Sequence, residues 1–171
     1  MEQVYLGLGS SIGDRMHHLK NAENAISNLD QVLILASSSF YESSPWGGEA
    51  KNLFLNIVLH IETLLSAESL LEKCIEIEEK LGRKRVRRWG DRIIDIDILL
   101  FGPKIIRTDR LTVPHPYLLE RMFLLKPLAD ISDTIKIPGQ DRTLDQLLTD
   151  CPDRNRIQKI EAESVMEELG Q

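Results

Sequence analysis

The sequence has little of what marks secreted, zinc-binding or membrane proteins. It contains only two cysteines, Cys74 and Cys151, with neither CxxC nor histidine spacing, so neither a disulfide framework nor a zinc site is predicted. No apolar run could span a bilayer, and the N-terminus lacks the regions of a signal peptide. We therefore expect a cytoplasmic protein without membrane contact, and we expect Cys74 to lie in the core, as free cysteines usually do.

An excess of positive charge and the common nucleotide-binding motifs are also absent. The 21 basic and 27 acidic residues give a net charge of −6, which argues against a general nucleic-acid-binding surface. The sequence lacks GxxxxGK[ST], so any kinase chemistry here differs from that of P-loop enzymes. The glycines of GLGSSIG (7–13) do not have GxGxxG spacing, and we interpret them as turn residues.

The order of predicted elements indicates an α+β protein with a ferredoxin-like core. The patterns predict strands at 4–8, 31–41, 53–63 and 93–101, with helices after Asp14 and Ser66. This βαββαβ order is that of a ferredoxin-like, mostly antiparallel sheet. C-terminal additions follow the core, namely a hairpin near Pro103, the turn VPHP (113–116) and a short helix at 143–149.

The length of 171 residues predicts one domain. We place this domain at residues 1–151 and expect a charged C-terminal extension at 152–171. The apolar residues of the extension have roughly helical spacing, which predicts a helix; they are Ile157, Ile160, Val165, Met166 and Leu169.

One segment concentrates basic charge directly before a predicted strand. Around Trp89 it contains six basic side chains, namely Arg83, Lys84, Arg85, Arg87, Arg88 and Arg92. Arginine binds phosphate oxygens with paired N–H donors, so these residues are candidate phosphate ligands and transition-state stabilisers. An aromatic residue in a glycine-containing loop can close over a flat ligand. Considered alone, the segment fits a ligand-closing loop or a nucleic-acid-binding patch, and both interpretations stay open.

Two aspartates follow on the next strand. Asp95 and Asp97 are two residues apart, so their side chains leave the same face of the strand. The other face carries Ile94, Ile96 and Ile98, which anchor the strand in the core. Close carboxylates repel each other unless a cation lies between them, and Mg²⁺ binds one or two carboxylates plus phosphates. A bare DxD also fits an edge strand with solvated acids, but the upstream arginines favour a metal–nucleotide site.

The third predicted strand offers a surface for a flat heterocycle. Phe54 and Asn56 share one of its faces, where they could stack on a ring and bind its donor–acceptor edge. Taken singly, each residue also fits a structural role. His115, which lies between two prolines, could contact phosphate or only pack.

Several separated motifs together resemble one enzyme family. They are GLGSSIGD (7–14), YESSPWG (41–47), FLN (54–56), GRKRVRRWGDRIIDIDILLFG (82–102) and LTVPHPYLLERMFLLKPLADI (111–131). On these motifs the chain resembles the 6-hydroxymethyl-7,8-dihydropterin pyrophosphokinases of folate biosynthesis. The resemblance extends to about Leu148. It implies transfer of pyrophosphate from ATP to a reduced pterin alcohol, giving AMP and the pterin diphosphate.

The resemblance also implies roles for individual residues. Asp95 and Asp97 would bind two Mg²⁺ ions that bridge the ATP phosphates, and Arg83 and Arg92 would stabilise the transferring group. The ATP site would further include Glu78, Arg85, Arg88, Trp89, Ile98, Arg110, Thr112, His115 and Arg121. The pterin site would include Phe54, Phe123, Asn56, Ser43, Ser44, Pro45 and Trp46, with the two phenylalanines on either side of the ring. The partners would be the two substrates, with a monomer expected and a dimer left open.

Three departures from the family pattern stand out. Ser43 replaces the usual threonine and keeps its hydroxyl. Asp91 replaces the usual proline of RWGPR, which we expect to loosen the backbone and to place a negative charge beside Arg92. The tail beyond Cys151 is longer and more charged than is usual in the family.

Other functions fit parts of the sequence. A metal-dependent phosphoesterase could use the same two aspartates but would release inorganic phosphate. A ferredoxin-like nucleic-acid-binding module could use the basic segment, but it predicts RNP aromatics and positive net charge, which the sequence lacks. A family member without turnover is a third alternative, for which Asp91 is the only sign. The kinase interpretation predicts in-line attack by the pterin hydroxyl on the β-phosphorus of ATP, with no side chain identified as a general base.

Overall fold

The computed structural model describes residues 1–45, 51–82 and 90–161. The strands are β1 (Glu2–Ser10), β2 (Val32–Ser37), β3 (Phe40–Ser43), β4 (Phe54–Thr63), β5 (Asp95–Phe101), β6 (Ile106–Arg107), β7 (Thr112–Val113) and β8 (Ile157–Ile160). The helices are α1 (Arg15–Ser27), α2 (Ala67–Lys80), α3 (Met122–Ile131) and α4 (Leu144–Asp150), and a 3₁₀ turn (Leu118–Glu120) precedes α3. No helix in these ranges is long and apolar enough to cross a membrane.

Six of these strands form one antiparallel sheet. Its order is β5-β1-β4-β3-β8, and β2 also pairs with β4. With α1 and α2 as the two crossovers, this arrangement confirms the predicted ferredoxin-like βαββαβ core. The remaining two strands, β6 and β7, form a small hairpin just after the position where we predicted one, near Pro103.

The helices begin where the sequence places capping side chains. Asp14 caps α1 by accepting the backbone N–H of His17 at 3.1 Å, and Ser66 caps α2 by accepting that of Ser69 at 3.1 Å. After α2, Gly82 has a φ of 96°, a left-handed conformation that costs glycine little. These local signals fix the two crossovers that bring β1, β4 and β5 side by side.

The sheet separates two apolar layers. On one face, α1 and α2 bury a core that includes Leu6, Leu19, Ile26, Ile57, Leu70, Cys74 and Ile96. On the other face, α3 and α4 bury a second layer that includes Val58, Leu99, Leu124, Leu128, Leu144 and Leu147. The predicted core position of Cys74 is confirmed, since its side chain has no exposed surface. The strict alternation of β4 explains how one strand supplies both layers.

The prediction of one strand at 31–41 is wrong, because two strands occupy this region. Ser38 interrupts the pairing, since its hydroxyl accepts the N–H of Val58 at 2.8 Å while its own N–H binds the Val58 carbonyl at 2.9 Å. The second strand, β3, continues to Ser43, two residues beyond the predicted end of the strand at residue 41. This extension carries the chain to the edge of the pocket described below.

The predicted C-terminal helix is also wrong where the structure describes it. Residues Ile157–Ile160 form β8, which pairs antiparallel with β3. The spacing of Ile157 and Ile160 is helical, but β3 offers unpaired backbone groups, and pairing with them favours a strand over the local pattern. Val165, Met166 and Leu169 lie outside the described residues.

Truncating a core side chain under the sheet should destabilise the protein strongly. Leu19 is fully buried between α1 and the sheet, so Leu19→Ala is expected to lower the free energy of unfolding by about 2–5 kcal/mol. Leu33→Ala is the matched control because Leu33 is 55% exposed, and it should change the value by less than about 0.5 kcal/mol. Urea titration measures both values, and equal effects would contradict the assigned core.

Candidate active site

The floor of the candidate site is built from three adjacent strands. In the central strand β1, Gly9 pairs with Asn56 of β4 on one side and with Asp95 of β5 on the other. Gly7 pairs likewise with Val58 and with Asp97. Residues paired across an antiparallel sheet point to the same face, so the acids and the amide share it. Both glycines have close neighbours on this face: a Cβ on Gly7 would lie 3.2 Å from Leu124 of α3 and 3.3 Å from Leu99 of β5, and one on Gly9 would lie 3.2 Å from Asn56 Oδ1.

A pocket of about 270 Å³ opens over this floor. It is lined by Gly7, Leu8, Gly9, Ser43, Ser44, Phe54, Asn56, Gly90, Arg92, Asp95, Asp97, His115, Tyr117, Arg121, Phe123 and Leu124. One side carries acidic and basic side chains, and the other carries aromatic side chains and the amide of Asn56. The pocket therefore offers a charged half and a half suited to a flat polar ring.

The charged half centres on the two aspartates of β5. Asp95 forms an ion pair with Arg92 at 3.1 Å, whereas the side chain of Asp97 is 47% exposed toward the pocket. The backbone of Arg92 is fixed to Ser11 by two bonds, N–H to hydroxyl and carbonyl to N–H, each of 2.8 Å. This double contact holds the arginine at the end of β1, beside the acids.

His115 presents a neutral N–H donor to the pocket. Burial, aided by the positive charge of Arg121, lowers the pKa of His115 to about 4, so its ring is uncharged at neutral pH. Its Nδ1 accepts the backbone N–H of Tyr117 at 3.2 Å, which leaves the proton on Nε2. That nitrogen lies 3.9 Å from Asp97 Oδ2, too far for a hydrogen bond, so the N–H can donate to a ligand oxygen.

Arg121 is a buried cation stacked on aromatic rings. Only 7% of the residue is exposed, and its guanidinium lies 4.6 Å from the ring centre of Tyr117 and 5.6 Å from that of Phe123. Burial lowers the pKa of Arg121, while the negative charges of Asp97 and Asp95 oppose this shift. Arginine remains protonated in proteins, so a fixed positive charge faces the acid pair.

The amide of Asn56 is oriented by its neighbours on β3. Its Nδ2 donates to the carbonyl of Tyr41 at 3.1 Å and to the hydroxyl of Ser43 at 2.9 Å. Both amide protons are thus used, and Oδ1 faces the space above Gly9, 3.2 Å from where a Cβ would stand there. Asn56 therefore offers an acceptor to an N–H group on a ligand.

The structure brings together many, but not all, of the residues singled out in the sequence. Those that line the pocket are Arg92, Asp95, Asp97, His115, Arg121, Ser43, Ser44, Phe54, Asn56 and Phe123. Described residues outside its lining are Pro45, Glu78, Ile98, Arg110 and Thr112. Trp46, Arg83, Arg85, Arg88 and Trp89 lie outside the described residues.

Four of the residues outside the lining have other positions. Glu78 is buried and accepts the backbone N–H of Ile96 at 3.3 Å, and Ile98 lies in the core under the sheet. Arg110 forms an exposed ion pair with Glu72 at 3.3 Å, and Thr112 is exposed on β7. Glu78 and Ile98 support β5 from the face opposite to Asp95 and Asp97.

Several lining residues were not predicted from the sequence. Gly7 and Gly9 were interpreted as turn residues, although both lie within β1 and form the pocket floor. Tyr117 and Leu124 were also missed. Strand register reveals the glycines, because each pairs with an aspartate on β5.

The acid pair fits a magnesium ion. Among the described residues no group of three or more His, Cys, Asp or Glu side chains could hold a metal. Asp95 and Asp97 would supply two carboxylates, and the remaining ligands would come from water or phosphate oxygens. This is the donor set that Mg²⁺ prefers when it binds with a nucleotide.

Two carboxylates, two arginines and an aromatic wall in one pocket of an antiparallel sheet are the groups expected of an enzyme that acts on phosphate groups. Sequence comparison identifies the family. The family model described as 7,8-dihydro-6-hydroxymethylpterin-pyrophosphokinase (HPPK) matches residues 5–133. The chain belongs to this family.

Curated relatives agree with the family assignment. The chain is 41% identical over 140 residues to the 2-amino-4-hydroxy-6-hydroxymethyldihydropteridine pyrophosphokinase of Methylorubrum extorquens, covering 82% of this chain and 89% of the relative. For the enzyme of the same name from Bacillus subtilis the identity is 42% over 143 residues, covering 84% and 86%. For that from Aquifex aeolicus it is 44% over 139 residues, covering 81% and 85%.

Solved structures of HPPK-DHPS proteins share the fold. One in complex with substrates superposes with a TM-score of 0.69 at 14% identity, covering 86% of this chain and 43% of the other. The Plasmodium falciparum protein with SDX-DHP superposes with a TM-score of 0.67 at 18% identity, covering 87% and 43%. This chain thus spans less than half the length of those proteins, and the likeness supports the ferredoxin-like fold alone.

Proposed function

We propose that this pocket transfers the pyrophosphoryl group of ATP to the hydroxymethyl group of 6-hydroxymethyl-7,8-dihydropterin, giving AMP and the pterin diphosphate in folate biosynthesis. One observation carries the proposal: Asp95 of β5 and Asn56 of β4 flank Gly9 on one sheet face. The two substrates can therefore lie side by side over a single floor. Family membership supplies the identity of the substrates.

The charged half is assigned to ATP. Asp95 and Asp97 would hold two Mg²⁺ ions, which neutralise phosphate charge when bound. Arg92 and Arg121 face the same space and would bind phosphate oxygens, while the His115 N–H would donate to another. The resemblance also assigns to this site four residues that lie outside the described ranges, namely Arg83, Arg85, Arg88 and Trp89.

The aromatic half is assigned to the pterin. Phe54 and Phe123 both line the pocket and would contact the two faces of the ring. Asn56 Oδ1 would accept an N–H of the pterin edge, because both amide protons of Asn56 are already used. Ser43 holds Asn56 in this orientation, with Ser44 beside it in the lining.

The chain's contribution to catalysis is positioning and charge neutralisation. The floor aligns the pterin hydroxyl with the β-phosphorus for in-line attack, and AMP leaves as the bond to the α-phosphate breaks. Arg92 and Arg121 supply fixed positive charge as negative charge spreads over the transferring group. No described side chain is assigned as a general base.

The test of this function is AMP formation from ATP and Mg²⁺ with and without the pterin. Pterin-dependent AMP in equal amount to the pterin diphosphate is the expected result. A phosphoesterase would instead release inorganic phosphate without needing the pterin, and a nucleic-acid-binding module would produce neither. The relatives named above give no support to either alternative.

Filling the pocket floor should weaken pterin binding selectively. In Gly9→Ala the new Cβ would lie 3.2 Å from Asn56 Oδ1 and 3.6 Å from Phe54 Cδ1, within the space proposed for the ring. We expect the Kd for the pterin to rise about tenfold or more, the size of a 1.4 kcal/mol loss. The Kd for ATP should change little. Calorimetry measures both, and equal weakening of the two substrates would contradict the assigned halves.

A further inference from the structure

The Asp91 side chain connects the segment before β5 to the segment before β4, which are far apart in the sequence. Its Oδ2 accepts the backbone N–H of Lys51 at 3.2 Å, and its Oδ1 accepts that of Asn52 at 3.1 Å. Each carboxylate oxygen therefore holds one N–H of consecutive residues. Hydrogen bonds to an ionised carboxylate are stronger than those between neutral groups. The sequence predicted a looser backbone at this position and a negative charge beside Arg92; the carboxylate also forms two bonds that a proline could not form.

The residues on both sides of this contact are themselves fixed. The backbone of Arg92, the next residue, forms two hydrogen bonds with Ser11 after β1, one to its hydroxyl and one from its N–H. On the other side, Arg15 donates to the carbonyl of Leu53 at 3.0 Å and forms an ion pair with Glu42 at 2.7 Å. Residues 51–53 are thus held from two directions directly before β4 begins.

From this arrangement we infer that Asp91 is a positioning residue for the pterin half of the pocket. Its carboxylate fixes the backbone of Lys51 and Asn52, which leads into Phe54, and ties that backbone to Arg92 in the charged half. The aromatic wall and the phosphate-binding arginine are thereby held at a constant separation. The inference rests on the assignment of Phe54 to the pterin proposed above.

The test is substrate binding by the full-length chain carrying Asp91→Ala. Loss of both bonds should raise the Kd for 6-hydroxymethyl-7,8-dihydropterin about tenfold, as expected for losing a hydrogen bond to a charged group. The Kd for ATP with Mg²⁺ should stay within about twofold, as for substitutions that leave a site untouched. Asp91→Asn keeps one carbonyl oxygen as an acceptor, so it should recover part of the pterin affinity.

The controls separate positioning from general stability. Asp141→Ala removes an exposed aspartate on the loop before α4, and it should leave both Kd values and Tm unchanged. An unchanged pterin Kd in Asp91→Ala would overturn the inference. A parallel loss of pterin affinity, ATP affinity and Tm would also overturn it, because Asp91 would then be only structural.

The proposed pterin site is tested separately with Phe54→Ala. If this variant binds the pterin more weakly while Asp91→Ala does not, the pterin site stands and the role of Asp91 is rejected. If Phe54→Ala binds the pterin normally, the site assignment is rejected together with the inference that depends on it.

Discussion

Asp97→Ala is expected to abolish Mg²⁺-dependent turnover while the fold survives. Asp97 is half exposed toward the pocket and shares a sheet face with Asp95, so its removal leaves one carboxylate for the metal. We expect kcat to fall by at least about a thousandfold, the upper range for losing one contact that stabilises developing charge. Steady-state AMP formation at saturating Mg²⁺ measures this loss.

The control for this result is an exposed acid away from the pocket. Asp109→Ala, in the loop between β6 and β7, removes the same charge and should keep full activity. Tm of Asp97→Ala should change little, because relief of the repulsion with Asp95 offsets the loss of the negative charge that faces Arg121. Full activity in Asp97→Ala would reject the two-carboxylate metal site.

Arg92→Ala should have the second large effect. Its guanidinium lies in the pocket beside Asp95, while its bonds to Ser11 come from the backbone and persist in the variant. Losing the fixed positive charge should lower kcat about a hundredfold to a thousandfold, the range seen when one stabilising donor is removed. Arg92→Lys keeps the charge but not the paired donors, so it should recover only part of the rate.

Arg142→Ala is the matched control for Arg92→Ala. Arg142 also pairs with an aspartate, Asp150 at 3.0 Å, but on an exposed surface away from the pocket. Such an exposed pair contributes about 1 kcal/mol or less to stability. Because Arg142 does not line the pocket either, Arg142→Ala should leave activity unchanged. If Arg92→Ala lowers kcat by less than about tenfold, Arg92 does not stabilise the transferring group, because removing a stabilising donor lowers kcat by more than that.

The alternation of residues along the strands predicted half of the pocket's geometry. It predicted that Asp95 and Asp97 share a face of β5, and that Phe54 and Asn56 share a face of β4. It could not predict that the two faces are the same one, since this depends on how both strands pair with β1. The pairing of Gly9 with Asn56 and Asp95 supplies that link.

Contacts between distant segments explain what the sequence could not predict. The bonds of Asp91 to Lys51 and Asn52 span 40 and 39 residues, so no local pattern carries them. The short strand β8 pairs with β3, whereas its own apolar spacing predicted a helix. Local capping and turn signals, by contrast, placed α1 and α2 correctly.

The central claim is that the two halves of the pocket join a pyrophosphoryl group to a pterin alcohol. ATP radiolabelled at the β-phosphorus, incubated with Mg²⁺, the pterin and the full chain, tests this most directly. The label should appear in the pterin diphosphate, with an equal amount of unlabelled AMP and none in inorganic phosphate. Label recovered in ADP or in inorganic phosphate, with the pterin unmodified, would contradict the account.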